Sequence, residues 1–398
     1  LYTPLQRHVG ITAREYRTGT LRARLTYITA SLLLLSSGSF GATTPLDQEA
    51  LGQALFFDKN LSLTRNQACG SCHEPGKAFT DSRDNGVSGA ASLGDDGRSL
   101  GDRNTPTITY ASHVPVFHEN EIGEYVGGFF LDGRSTTIEE QAGEPFLNPI
   151  EMAMPDRASV VERVRENPVY VSAMKAHYGQ NIFSNSEQAF DAVVASIVAF
   201  ENTDLFSPFD SRYDRYLRGE YTLTAQEEIG RLLFFSQLVN CHSCHLLDLR
   251  ETAGREIFSN SKYHNIGVPV NQATRELNGV SDPDVGLLAN PRVDDPAQAG
   301  KFRVPSLRNV AVTGPYMHNG VFQELETAIL FYDKYLLSTA SSQTNPETGA
   351  RWGEPEIAEN IDLALLREGQ PITPQRASAL AAFLRTLTDQ RYEALLDE

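Results

Sequence analysis

A chain of 398 residues with 40% hydrophobic and 21% charged side chains has material for two ordinary domains and is too apolar to stay disordered. Its formal charge of −17 offers no basic face for phosphate, which excludes nucleic acid as a partner. After residue 42 no apolar run approaches the roughly 18 residues that a membrane-crossing helix needs.

Residues 1–42 read as a secretory signal peptide. Arg7, Arg14, Arg17, Arg22 and Arg24 face only Glu15, then come the apolar Leu25–Leu35 and the small residues Ser36–Ala42. The competing reading is an uncleaved membrane anchor. Cleavage removes five arginines and one glutamate, takes the charge from −17 to −21, and leaves an exported, periplasmic protein with no membrane span.

An apolar pattern of helical spacing over Leu46–Phe57 leads into Cys69-Gly-Ser-Cys72-His73. A long loop, 80–128, follows. Helices are expected at Thr137–Gln141, Arg157–Arg165, Val169–Tyr178 and Ser186–Asn202. A second apolar pattern, Leu223–Phe235, opens with Thr224 and Glu227 at capping-box spacing and leads into Cys241-His-Ser-Cys244-His245. Another long loop, 248–315, precedes helices at Leu325–Tyr335 and Pro374–Thr386. Loops of this length are functional or wrapped around something. The expected fold is mainly α, with two cytochrome c-like haem domains at 43–220 and 221–398, long loops and few strands.

The two Cys-x-x-Cys-His motifs use every cysteine of the chain. Two thiols at this spacing bond the vinyl groups of one porphyrin, and the next residue, His, ligates its iron. A zinc site would want its cysteine pairs about 15–20 residues apart, and these stand about 170 apart. A dithiol or a disulfide leaves the two histidines unexplained. The upstream stretches repeat as well, Gly52-Gln-Ala-Leu-Phe-Phe57 against Gly230-Arg-Leu-Leu-Phe-Phe235, which points to a duplicated haem unit.

Further stretches carry a resemblance. They are Leu51–Asp58, Arg103-Asn-Thr-Pro106, Asp132-Gly-Arg134 with Glu139-Glu-Gln-Ala142, Asn148-Pro-Ile-Glu-Met152, Phe302-Arg-Val-Pro-Ser-Leu-Arg-Asn309 and Pro315-Tyr-Met-His-Asn-Gly320. With the two haem motifs, they make most of residues 45–390 resemble bacterial di-haem cytochrome c peroxidases and MauG-type enzymes. The resemblance implies that the N-terminal haem meets hydrogen peroxide, with Gln141 and Glu151 as the polar pair beside its iron. Some relatives block that iron with a histidine from the loop after the motif; Ala78–Arg98 contains none. The resemblance therefore implies an iron that is five-coordinate or water-bound. His113 and His118 are read as structural.

For the second haem the resemblance implies His245 as one ligand and a Met or Tyr opposite. The matching position is Tyr332, 14 residues after His318, with Met317 as competitor. His318 is expected near a haem propionate. A calcium ion between the haems is implied by Asn104 and by the backbone carbonyls of Thr313 and Pro315. One departure stands out: relatives carry Trp just before Asp-Gly-Arg, and here that residue is Leu131, the single tryptophan being Trp352.

Three functions follow from this reading. The first is peroxide reduction with electrons from a small periplasmic cytochrome or copper protein. The second is MauG-like, peroxide-dependent oxidation of side chains in a partner protein. The third is electron transfer without turnover, for which Gln141 and Glu151 would serve no purpose.

Overall fold

In the computed structural model, which describes residues 45–246 and 255–397, helices carry the architecture. The proposed signal region lies outside the described residues. In the first half these are α1 (Gln48–Phe56), α2 (Cys69–Cys72), α3 (Ile138–Leu147), α4 (Arg157–Arg165), α5 (Pro168–Tyr178) and α6 (Ser186–Glu201). The second half holds α7 (Arg212–Leu217), α8 (Ala225–Phe234), α9 (Gln272–Asn278), α10 (Leu325–Phe331), α11 (Leu363–Leu366) and α12 (Pro374–Arg385). Among the described residues, strands form only two antiparallel pairs. Strand β1 (His118–Glu119) pairs with β2 (Tyr125–Val126), and β3 (Tyr263–His264) with β4 (Phe302–Arg303). No helix among the described residues is long and apolar enough to cross a membrane.

Local chemistry explains most helix starts. Asp47, Thr137, Asp156, Asn185, Thr224 and Thr373 each cap a helix by accepting a backbone N–H with the side chain. The expected capping box at Thr224 and Glu227 is present. Three expectations need correction. Helix α3 does not stop at Gln141 but runs to Leu147 with Pro145 inside it. Pro145 has no N–H for the carbonyl of Gln141, so the ladder loosens there without ending. The helix expected over Leu325–Tyr335 turns into a 3-10 helix at Tyr332, so Tyr332 sits at the junction. Helices α2, α7, α9 and α11 fall where no helix is expected.

The buried apolar side chains form two main clusters that follow the sequence. One draws on residues from Leu51 to Phe206, the other on residues from Tyr213 to Leu387. Cys69 packs against the first and Cys241 against the second. Each cluster is organised by the same crossing. The helix before a haem motif lies against the last helix of its half, α1 on α6 and α8 on α12. A glycine lets each pair meet. A Cβ on Gly52 would lie 1.8 Å from the Ser196 carbonyl oxygen, and one on Gly230 would lie 1.9 Å from that of Ala379. The next contacts also match, Phe200 against the first and Phe383 against the second. The duplication suggested by six residues of sequence thus extends to backbone packing.

This gives a prediction. Gly230→Ala must push α8 off α12, and overpacking of this kind costs about 1–3 kcal/mol. A lower urea midpoint than the parent's is expected. Gly76→Ala, whose Cβ meets nothing closer than 3.6 Å, should leave the midpoint unchanged.

Polar networks tie early segments to late ones. Arg103 binds Asp284 through two bonds of 2.6 and 2.7 Å and Asp132 at 2.7 Å. Although burial disfavours its charge, this pairing holds Asp284 down at about 2. Asn309 donates to Asp389 at 2.8 Å and to Thr109 at 3.2 Å, and Tyr110 donates to Asp389 as well. Arg308 and Asp214 form a fully buried pair.

Candidate active site

The two haem motifs fold by one plan. At each, the backbone N–H of the histidine donates to the carbonyl of the first cysteine, His73 to Cys69 at 2.9 Å and His245 to Cys241 at 3.1 Å. The imidazoles are then fixed by backbone. His73 Nδ1 donates to the Phe79 carbonyl at 2.9 Å, and His245 Nδ1 to the Phe258 carbonyl at 3.1 Å. A carbonyl only accepts, so Nδ1 carries the proton and Nε2 keeps its lone pair for a metal. Both carbonyls are presented by a phenylalanine in the left-handed region, φ 56° at Phe79 and 57° at Phe258. Burial lowers the pKa of His73 and takes that of His245 to about 4, which keeps both rings in the neutral, ligating form. The four cysteines are free of disulfides.

The donor set is that of haem, and the surroundings fit one. A cavity of about 400 Å³ is lined by Cys241, Cys244, His245 and Tyr332 and reaches as far as Gln141 and Leu131. Its wall is largely apolar but holds polar atoms without partners among the described residues, Arg303 Nε and His264 Nε2. Arg303 is a buried guanidinium with no carboxylate beside it among the described residues, and burial lowers its pKa. Burial also disfavours the charged form of His264. Its 2.9 Å bond to Asp362 and the neighbouring Cys244 outweigh that and raise its pKa to about 9. An unmatched guanidinium and a histidine with its Nε2 unpartnered suit the carboxylates that a haem brings.

The other expected residues are distributed as follows. Tyr332 is half-buried against the second cluster, and its hydroxyl feels both Cys241 and Cys244, so it faces the second motif. Met317 also lines the cavity, but it packs on a separate cluster with Phe322, Phe331 and Trp352. His318 stacks on Phe302 at 3.7 Å, with Nε2 3.9 Å from Glu356, and lines the same cavity. Asn104, Thr313 and Pro315 all border it. Leu131 borders it too, its carbonyl accepting the Arg303 backbone N–H at 2.9 Å. His113 packs edge-on against Phe209, and His118 is exposed.

Gln141 lines the cavity from α3, whereas Cys69, Cys72 and His73 of the first motif do not. Glu151 stands in the turn after α3, outside that cavity, close enough for its charge to act on Cys69. Asn148 donates to Glu151 Oε1 at 2.7 Å. Burial raises the Glu151 pKa, while Arg134 and the Asn148 bond pull it down. Residues that the sequence reading passed over are Arg303, His264 and Glu201. Arg303 falls inside one of the quoted stretches, and Glu201 is a carboxylate closing an otherwise apolar helix.

These features define a di-haem c-type protein, and the chain belongs to the di-haem cytochrome c peroxidase family, whose model matches residues 47–222. The chain is 51% identical over 372 residues to the methylamine utilization protein MauG of Paracoccus denitrificans, covering 92% of this chain and 96% of that one. To the cytochrome c peroxidase Ccp of Escherichia coli it is 31% identical, over 73% of this chain and 54% of the other. Among solved structures, the diheme peroxidase BthA of Burkholderia thailandensis superposes with a TM-score of 0.74 at 30% identity, covering 87% of each chain. A MauG-like protein associated with microbial copper homeostasis gives 0.63 at 28% identity, covering 90% of this chain and 99% of that one. The chain is an oxidoreductase of this family, with the mainly helical fold and two c-type haems that the family implies.

Proposed function

We propose that this chain reduces hydrogen peroxide at the haem of Cys69, Cys72 and His73, with electrons passing through the haem of Cys241, Cys244 and His245. The observation that carries this is a half-buried carboxyl, Glu151, close enough to the first motif to act on Cys69, with its pKa raised by burial. A haem supplies an iron that binds peroxide and passes electrons to it. Everything else falls to side chains. Peroxide must lose a proton from one oxygen and gain one on the other, which a nearby carboxylate serves as base and then acid. Asn148 occupies Glu151 Oε1, which leaves Oε2 to take and return the proton. Gln141 supplies a neutral amide to orient the oxygen. In this reading Tyr332 and His245 would hold the second haem's iron, and Arg303 and His264 would receive haem carboxylates. Asn104 and the carbonyls of Thr313 and Pro315 would hold a calcium ion in this reading. The domains divide near 220, although Tyr213 of α7 already packs with the second cluster. The mature protein works in the periplasm.

A second reading is that the electrons come from side chains of a partner protein. The 51% identity to a MauG and the placing of Tyr332 favour it; Leu131 in place of tryptophan weakens it. Mixing the holoprotein with peroxide, with and without a reduced small cytochrome, separates the two. Rapid oxidation of the donor supports the first reading. A long-lived change in haem absorption without any donor supports the second. A haem spectrum indifferent to peroxide contradicts both. The near-infrared spectrum of the oxidised protein should lack a methionine–iron band; its presence would replace Tyr332 with Met317.

A further inference from the structure

Reducing one H2O2 to two H2O consumes two electrons and two protons. Glu151, as assigned above, moves a proton from one peroxide oxygen to the other and adds none. The net protons must be held elsewhere near the first haem, and the structure offers a group for this that the assigned chemistry leaves unused.

Glu201 is the last residue of α6 and is only 7% exposed. Its carboxyl lines the same cavity as Gln141. Among the described residues no side chain or backbone group hydrogen-bonds it, and no charged group acts on it. Burial alone lifts its pKa to about 8. It is also the charge felt most strongly at Cys69, ahead of Cys72 and Glu151. Its surroundings are few. Gln141 faces the cavity from α3, Thr109 and Tyr110 from the preceding loop, and Cys69 stands on α2. Gln141 and Thr109 do not titrate, burial holds the Tyr110 phenol well above the neutral range, and Cys69 ceases to titrate once it becomes a thioether. The other ionisable groups on this cavity, among them His264, Asp284, Arg303, His318, Glu356 and Asp362, belong to the second half and exert no charge effect on Glu201, and Glu151 stands outside the cavity. A bare carboxylate could not persist in such a place, because an unpaired buried charge is costly and the group stays protonated instead.

We propose that Glu201 is a proton-holding residue of the first haem pocket, giving up its proton as an electron passes on to peroxide and regaining one from solvent as the next electron reaches that pocket. No bond other than O–H forms or breaks at Glu201; the electrons come from the donor protein. This rests on the functional reading above. It makes the reduction potential of the first haem fall as pH rises from 6 to 9, because ionised Glu201 disfavours the extra electron.

The test is a spectroelectrochemical titration of the holoprotein across that pH range, for the parent, Glu201→Gln and Glu151→Gln. Each is first shown by mass to carry two haems. The parent's first haem should show a potential that drops with pH. Glu201→Gln should flatten that slope, while the potential of the second haem stays at the parent's value. Glu151→Gln should keep the slope. A redox-difference infrared spectrum at pH 7 should show a protonated-carboxyl band in the parent that is missing from Glu201→Gln. Two haems with an unchanged slope in Glu201→Gln, or a slope lost in Glu151→Gln instead, overturn the proposal alone. A parent without haem overturns the functional reading itself. Should Glu201→Gln fail to accumulate, the infrared band of the parent decides: a carboxyl band that responds to reduction and disappears above pH 9 supports the proposal, and its absence overturns it.

Discussion

Glu151→Gln is expected to slow the reaction with peroxide by at least ~10²-fold, the range over which a positioned acid–base group acts. The amide matches the carboxylate in shape and keeps an oxygen for the 2.7 Å bond from Asn148. It is neutral, so it is buried at lower cost than the group it replaces. Stability and haem content should therefore hold while the proton step fails. Stopped-flow mixing at several peroxide concentrations checks this: the second-order rate should fall and the resting haem spectrum should not move. An unchanged rate would remove Glu151 from the acid–base role and leave Gln141 or solvent to fill it.

Arg308→Ala should be the most destabilising single change, by about 3–5 kcal/mol, the cost of breaking a buried ion pair from one side. Arg308 and Asp214 are each 1% exposed at the side chain and are joined at 2.5 and 2.9 Å. Arg308 Nε also donates to the Glu256 carbonyl at 2.8 Å. The guanidinium lies within 4.9–5.4 Å of the ring centres of Phe209, Tyr110 and Phe258. Removing it strands the Asp214 carboxylate, which also accepts from Ser211 to start α7. It withdraws support from the segment that presents the Phe258 carbonyl to His245. Urea unfolding should show a large drop in midpoint. Replacing both partners by leucine should recover part of the loss, since the stranded charge is then gone. A drop below ~1 kcal/mol for Arg308→Ala would mean that Asp214 finds another partner.

Much of this was readable from residue types. The helices expected at Arg157–Arg165, Val169–Tyr178 and Ser186–Asn202 form within a residue or so of those bounds, and Asp156, Asn167 and Asn185 cap them. The Cys-x-x-Cys-His spacing alone carried haem, because the chemistry of attachment constrains neighbours in sequence. What sequence hid was non-local or contrary to a local rule. Helix α3 runs past Pro145 to Leu147 because Phe146 packs in the core, a tertiary contact that outweighs the local preference against an interior proline. Helix α7 was passed over because it is short, although Ser211 and Asp214 form a capping box. The carbonyls that fix His73 and His245 belong to Phe79 and Phe258 only by virtue of left-handed backbone, which no residue type declares in a phenylalanine. Glu201, Arg303 and His264 acquire meaning only from what is missing around them. That is a property of the folded cavity, not of a motif.

The measurement closest to the centre of the account is the intact mass of the mature chain under denaturing conditions, after expression alongside a cytochrome c maturation system. The account predicts a chain heavier by two haems, reduced to one when both Cys241 and Cys244 are replaced by alanine. A chain of unmodified mass, with four titratable thiols, would contradict it.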